Sequence, residues 1–170
     1  TEEFGLIDTC FGTHHLQFGF GEDRMLYFSG GGDVIGWVNT RQYDRTGDEQ
    51  LSQGWCPMVV DTNGDGVITK PWNQPVGALR SENEGGGGEQ LGDIDPSLDT
   101  RMSPGSYGII VDPVDNVAWG VGTELPGRIY RLDIGSNPPE TCITEVYELP
   151  VINGDIEGFG PRGLDVDNNG

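Results

Sequence analysis

The chain has 170 residues, and its 29 glycines and 11 prolines against 34% hydrophobic residues favour short strands and many turns over helices. Its formal net charge of −19 makes nucleic acid and anionic membranes poor partners and cations good ones, although such acidity also serves solubility or a saline habitat. No apolar run is long enough to span a membrane, and the first residues lack the basic and apolar parts of a signal peptide.

Three segments of the chain repeat one pattern: a small apolar strand, a turn rich in Asp, Asn or Gly, a strand with an aromatic residue, a Gly-rich turn and a third strand. The copies lie near residues 13–40, 106–134 and 161–170, and the third stops where its second strand is expected. This pattern is typical of β-propeller blades. We therefore predict an all-β fold, a partial β-propeller of about three blades of antiparallel strands in one domain over residues 1–170. The incomplete third copy suggests a fragment or a processed form.

Further elements are predicted around these copies. Residues 29–33 suit the hairpin turn between two blade strands, 55–60 one additional strand, and 145–150 a half-exposed outer strand. Aromatic residues on the second strands, Tyr27 and Trp119, are expected to pack between blades.

A helix is not predicted. Residues 41–52 would tolerate one, but Tyr43 and Leu51 form too sparse an apolar stripe to hold it against a core.

The spacing of the copies predicts a long acidic, Gly-rich insertion. Their first strands start at His15, Gly108 and Gly163, which are 93 and 55 residues apart, whereas a blade takes roughly 40 to 50. The first interval therefore holds an insertion or a degenerate blade, and residues 61–100 supply it. Its second half, 81–100, is acidic with almost no apolar content, so we expect a mobile surface loop there.

The insertion begins with a candidate calcium loop. The order of oxygen donors and glycines after Asp61 matches the first nine positions of such a loop. At position 12, where an EF-hand has a bidentate Glu, this chain has Trp72, so we expect a shortened loop with a structural Ca²⁺. The alternative is an Asx-rich turn that needs no metal. The expected ligands are Asp61, Asn63, Asp65, the carbonyl of Val67, and Thr69.

A second candidate site comes from aligning the copies. His14, Tyr107 and Arg162 occupy the same position in the three copies, just before the first strand. Because the innermost strands of a propeller line its central channel, equivalent positions form a ring around that channel. These three are the candidate catalytic residues of a binding or acid–base site, with His15 beside them. The alternative is that they are solvated polar residues at a channel mouth. The carboxylates that could join the ring precede the third copy: Asp155 and Glu157.

The three cysteines, Cys10, Cys56 and Cys142, have no metal-binding spacing. They allow one disulfide and one free thiol, with the pairing left open. A disulfide would suit an extracellular or periplasmic location.

The strings Pro-Arg-Gly-Leu-Asp-Val-Asp at 161–167 and Tyr-Gly-Ile-Ile-Val-Asp-Pro at 107–113 resemble the NHL-like and streptogramin-lyase-like (virginiamycin B lyase-like) β-propellers. The stretches 7–40 and 126–139 resemble a secreted bacterial subgroup of that class. The lyase resemblance implies a Mg²⁺-assisted elimination with His and Glu on the channel face, and His14 is the residue that falls at such a position.

These observations favour a secreted or periplasmic, calcium-stabilised β-propeller that acts as a scaffold and binds a small molecule or a protein at its channel face. One alternative is a propeller enzyme of lyase or hydrolase type that uses the ring, with Mg²⁺ in the lyase-like case. Another is a structural subunit of an extracellular assembly, in which open sheet edges bind a second copy or the remainder of the propeller.

Overall fold

The chain forms two antiparallel sheets of four strands each, joined by shorter pairs of strands. The computed structural model describes residues 4–30, 34–61, 63–66, 68, 99–101, 106–122, 127–152, 154–156, 160–167 and 169. The first sheet contains β1 His15–Phe18, β2 Met25–Ser29, β3 Val34–Asn39 and β4 Gln53–Pro57. The second contains β7 Gly108–Val111, β8 Ala118–Gly122, β9 Arg128–Asp133 and β10 Ile143–Glu148. The short pairs are β5 Val59–Val60 with β6 Thr100–Arg101, and β11 Val151–Ile152 with β12 Asp155–Ile156.

Both sheets are meanders in which each strand pairs with the next one in sequence, and they begin in the same way. His15 pairs with Ser29, and the amide of the preceding His14 donates to the Ser29 carbonyl at 2.8 Å. Gly108 pairs with Val121, and the amide of the preceding Tyr107 donates to the Val121 carbonyl at 2.6 Å. The all-β expectation is therefore met in its coarse form.

The two sheets pack against each other through one face of each, which is where alternating strand residues meet. Their shared core contains Met25, Tyr27, Ile35, Trp37, Val111, Ala118, Tyr130 and Leu132. Tyr27 is 3% exposed, and its burial, with the carboxylates of Asp23 and Asp133, raises the pKa of its phenol to about 12. The strands β1 and β7 lie next to each other, so the first strands of both sheets start in the same region.

A disulfide joins the far sides of the two sheets. Cys56 on β4 is bonded to Cys142, which directly precedes β10, and both lie in the shared core. Cys10 is the free thiol and is exposed. The structure thus selects one of the pairings that the sequence left open.

The segment 160–167, where a first strand from Gly163 was predicted for the third copy, forms no strand. It lies against the opposite face of the second sheet. Its Leu164 and Val166 share a cavity with Ile110, Trp119 and Ile129. A Cβ at Gly108 would lie 2.8 Å from the Arg162 carbonyl oxygen, so the segment crosses the start of β7 at a distance that glycine permits.

Trp119 also lies on this second face, where its ring stacks on Tyr147 with centroids 5.6 Å apart. Tyr27 on β2 thus packs between the two sheets. Trp119 on β8 packs within its own sheet, next to the segment 160–167.

Two local predictions were wrong. A helix, α1 Thr40–Thr46, follows β3 although it buries none of its side chains. Its ends explain it: the Asn39 side chain accepts from the Gln42 amide, and Gly47 closes the last turn at φ 63°. The strand expected over 55–60 is interrupted at the buried Met58, which separates β4 from β5.

The outer strand expected over 145–150 corresponds to β10, at the edge of the second sheet.

Candidate functional site

His14, Tyr107 and Arg162 lie together in the structure, with His15 beside them. The imidazole rings of His14 and His15 have centroids 4.4 Å apart, and each lies 4.9 Å from the Tyr107 ring centroid. The Arg162 Cζ lies 5.2 Å from the same centroid, over the ring face, which is the geometry of a cation–π contact. We call these four residues the aromatic–basic cluster.

The cluster is assembled by three segments that are distant in sequence. His14 and His15 stand at the start of β1, Tyr107 directly precedes β7, and Arg162 comes from the segment 160–167. Because β1 and β7 are neighbours, their starting residues meet at one end of the sheets. Arg162 is brought there by the close crossing of its backbone over Gly108.

Ser29, at the end of β2, ties two of these segments together. Its side chain is fully buried at 0% exposure. The hydroxyl donates to the Tyr107 carbonyl at 2.5 Å and accepts from the His15 amide at 3.3 Å. The Ser29 carbonyl in turn accepts from the His14 amide. One buried residue therefore fixes the backbone of both histidines relative to that of Tyr107.

Ser29 was not predicted as a site residue because it falls in the predicted hairpin turn over residues 29–33. The available signal was its position: a small polar residue that ends a predicted apolar strand and faces the first strand of the same copy. Its bond to Tyr107 spans 78 residues and follows only from the packing of the two sheets.

The cluster is solvent-accessible and carries the positive charge of Arg162. His14, His15 and Arg162 are exposed, and Tyr107 is half-buried. Among the described residues, no carboxylate pairs with either imidazole or with the Arg162 guanidinium. The cluster thus holds an unpaired cation in a chain with 28 Asp and Glu against nine Lys and Arg.

Arg131, on β9, shows the opposite arrangement. Its guanidinium donates to Asp115 at 2.8 Å and to Glu145 at 2.7 Å. Burial raises the pKa of Asp115, but hydrogen bonds from Arg131 and from the Val117 amide outweigh that effect and lower the pKa below its ordinary value. The hydrogen bond to Asp115, followed by that to Glu145, raises the pKa of the Arg131 guanidinium against an opposing effect of burial.

The cluster can supply hydrogen-bond donors, a positive charge and aromatic faces. The elimination that the lyase resemblance implies would in addition need a Glu near His14. Of the two carboxylates expected to join the ring, Glu157 lies outside the described residues, and Asp155 is placed on β12 by its backbone alone.

The candidate calcium loop is described at three of its five expected ligands. The Asp61 carboxylate accepts from the amides of Gly64, Asp65 and Gly66 at 2.8, 3.2 and 2.7 Å, and Asn63 and Asp65 are exposed. Val67 and Thr69, like Trp72 and most of the acidic loop 81–100, lie outside the described residues.

These backbone bonds to Asp61 explain the turn without an ion, as in an Asx turn. The oxygen donors Asp61, Asn63 and Asp65 nevertheless suit Ca²⁺ by type, and Asp61 lines a cavity together with Glu140. Within the described part of the chain, no group of three or more His, Cys, Asp or Glu side chains is gathered as for a metal ion.

In the described ranges, no helix is both long and apolar enough to cross a membrane.

Comparison with known proteins found no matching family model, no matching curated protein and no matching solved structure. The resemblance to NHL-like and streptogramin-lyase-like propellers therefore remains a prediction from the sequence motifs.

Proposed function

We propose that the chain is part of an extracellular or periplasmic, calcium-stabilised β-propeller that acts as a ligand-binding scaffold, and that the aromatic–basic cluster is its binding site. The observation that carries this proposal is the convergence of His14, Tyr107 and Arg162. They come from three distant segments, yet the His14 ring and the Arg162 guanidinium both lie against the Tyr107 ring.

The arrangement of the sheets supports the propeller part of the proposal. Two meanders of four strands pack face to face, with their first strands adjacent. The segment 160–167 crosses the start of β7 on the other side. Two adjacent first strands, with the segment 160–167 beside them, fit the order expected of successive blades around one axis. The disulfide supports the oxidising compartment.

The binding proposal is tested by a thermal-shift screen of neutral, anionic and cationic small molecules against the wild-type chain and Tyr107→Leu. We expect at least one compound to raise the melting temperature of the wild type and not that of the variant. Tyr43→Leu is a matched control, because it makes the same substitution on α1, outside the cluster. Compounds that stabilise all three chains equally, or none at all, would contradict the proposal.

The calcium part has its own test. Isothermal titration with CaCl₂ should show binding to the wild type and much weaker binding to Asp65→Asn, which leaves the amide bonds to Asp61 in place. Asp48→Asn, in the turn after α1, is the control. Equal heats for wild type and Asp65→Asn would remove calcium from the proposal.

The enzyme alternative depends on a carboxylate within reach of His14. If Glu157→Gln abolished an elimination or hydrolysis reaction without changing ligand affinity, the lyase or hydrolase function would replace the scaffold. A structural subunit would instead form a concentration-dependent assembly whose stability is independent of Tyr107.

A further inference from the structure

We propose that the aromatic–basic cluster binds the oxyanion group of a small organic ligand, a carboxylate or a phosphate. This inference rests on the proposed binding function and names the chemical class of its ligand. The cluster places both histidines and an arginine around the ring of one tyrosine, Tyr107.

The positive charge of Arg162 has no counter-ion among the described residues. The Arg162 guanidinium has five N–H donors, and within the described part of the chain it contacts the Tyr107 ring without a carboxylate or carbonyl partner. By contrast, Arg131 holds two carboxylates and Arg41 donates to the Glu22 carbonyl. A guanidinium that is fixed against a ring and unpaired is prepared to bind an external oxyanion through two parallel hydrogen bonds.

The histidines add hydrogen-bond donors beside the guanidinium. The polar groups that face one another here are His14 and His15 at the start of β1, Tyr107 before β7, and Arg162 on the segment 160–167. Ser29, the contact from β2, is uncharged. An imidazole N–H can donate to an oxyanion that the guanidinium holds.

The net charge of −19 repels anions from the chain at long range. An anion that binds must therefore do so through short-range contacts with the cluster. Salt screens the long-range repulsion more than it screens contacts at hydrogen-bond distance. Binding should therefore survive physiological ionic strength, unlike association driven by a diffuse basic surface.

The experiment uses the only two histidines of the chain as reporters. Imidazole resonances are followed by NMR at pH 6 while sodium benzoate, inorganic phosphate or benzylammonium chloride is added to the intact chain. We expect at least one of the two anions to shift both sets of histidine signals saturably, and benzylammonium to leave them unchanged. Binding of benzoate alone would indicate a carboxylate ligand, and binding of phosphate alone a phosphorylated one.

The variants decide whether the cluster itself binds the anion. Arg162→Gln should weaken the affinity roughly tenfold or more, since a charge-assisted hydrogen bond is lost. Arg45→Gln, an exposed arginine on α1, is the matched control and should leave it unchanged.

Equal affinities for wild type and Arg162→Gln, or equal shifts with benzylammonium and benzoate, would overturn the oxyanion assignment. If both anions fail while a neutral or cationic compound from the screen still depends on Tyr107, the ligand class is wrong and the binding function stands. If no compound depends on Tyr107 either, both proposals fail.

Discussion

Removal of the Cys56–Cys142 disulfide should lower the free energy of unfolding by about 4 to 5 kcal/mol. The bond closes a loop with a sequence separation of 86 residues. In the chain-entropy model, a loop of that length removes about 15 cal/mol/K from the unfolded state, which is about 4.6 kcal/mol at 25 °C. Both half-cystines also lie in the shared core, at 0% and 7% exposure, so alanine at these positions adds a loss of packing.

The measurement is urea unfolding of the double variant Cys56→Ala/Cys142→Ala, followed by tryptophan fluorescence. Cys10→Ala is the control, because the Cys10 thiol is exposed and forms no disulfide. This variant should change the free energy of unfolding by less than about 0.5 kcal/mol. A double variant with the same urea midpoint as the wild type would refute the packing of the two sheets through this bond. So would a loss in Cys10→Ala as large as that in the double variant.

Three further outcomes are expected. Ser29→Ala should cost about 1 to 3 kcal/mol because it leaves buried backbone groups unbonded, whereas Ser52→Ala, equally buried but without a described partner for its hydroxyl, should be neutral or stabilising. Equal losses in urea unfolding would contradict this. The pKa of Tyr27 is raised from 10.0 to about 12 in the folded chain. Its contribution to the free energy of unfolding is therefore complete below pH 10 and is lost as pH rises toward 12. The loss is roughly 2 to 3 kcal/mol, and Tyr27→Phe should remove this alkaline dependence from unfolding measurements at pH 9 and pH 11.5; an unchanged dependence would disprove it. Because the pKa of Asp115 is lowered, its pairing with Arg131 contributes above the unfolded pKa and is lost as pH falls through the folded value. Arg131→Gln should therefore cost at most about 1 kcal/mol at pH 7 and less at pH 3, and equal costs at both would contradict the pairing.

The strands were predictable from the sequence because their signals are local. Apolar alternation between turn residues marked β1 to β3 and β7 to β9 close to their observed bounds. The helix α1 was missed because it has no apolar stripe to bury, which is the pattern that predicts a helix. It is stabilised instead by its capping residues, Asn39 and Gly47.

The positions of the cluster residues were predicted by alignment of the copies, and their meeting follows from the adjacent first strands. The contacts between distant segments were beyond such reasoning. Neither the bond from Ser29 to Tyr107 nor the choice of Cys142 as the partner of Cys56 has a local signature. Both depend on which faces of the two sheets meet, and strand patterns give the faces without giving their pairing.

The meeting of the starts of β1 and β7 at the cluster is tested most directly by nuclear Overhauser effects between ring protons of Tyr107 and imidazole protons of the two histidines. Centroid separations of 4.9 Å place these protons close enough for direct transfer. We expect cross-peaks from both imidazoles to the Tyr107 ring, and altered histidine shifts in Tyr107→Leu through loss of the ring current. Histidine spectra without such cross-peaks, and unchanged in that variant, would contradict the placement of β1 beside β7 and with it the proposed site.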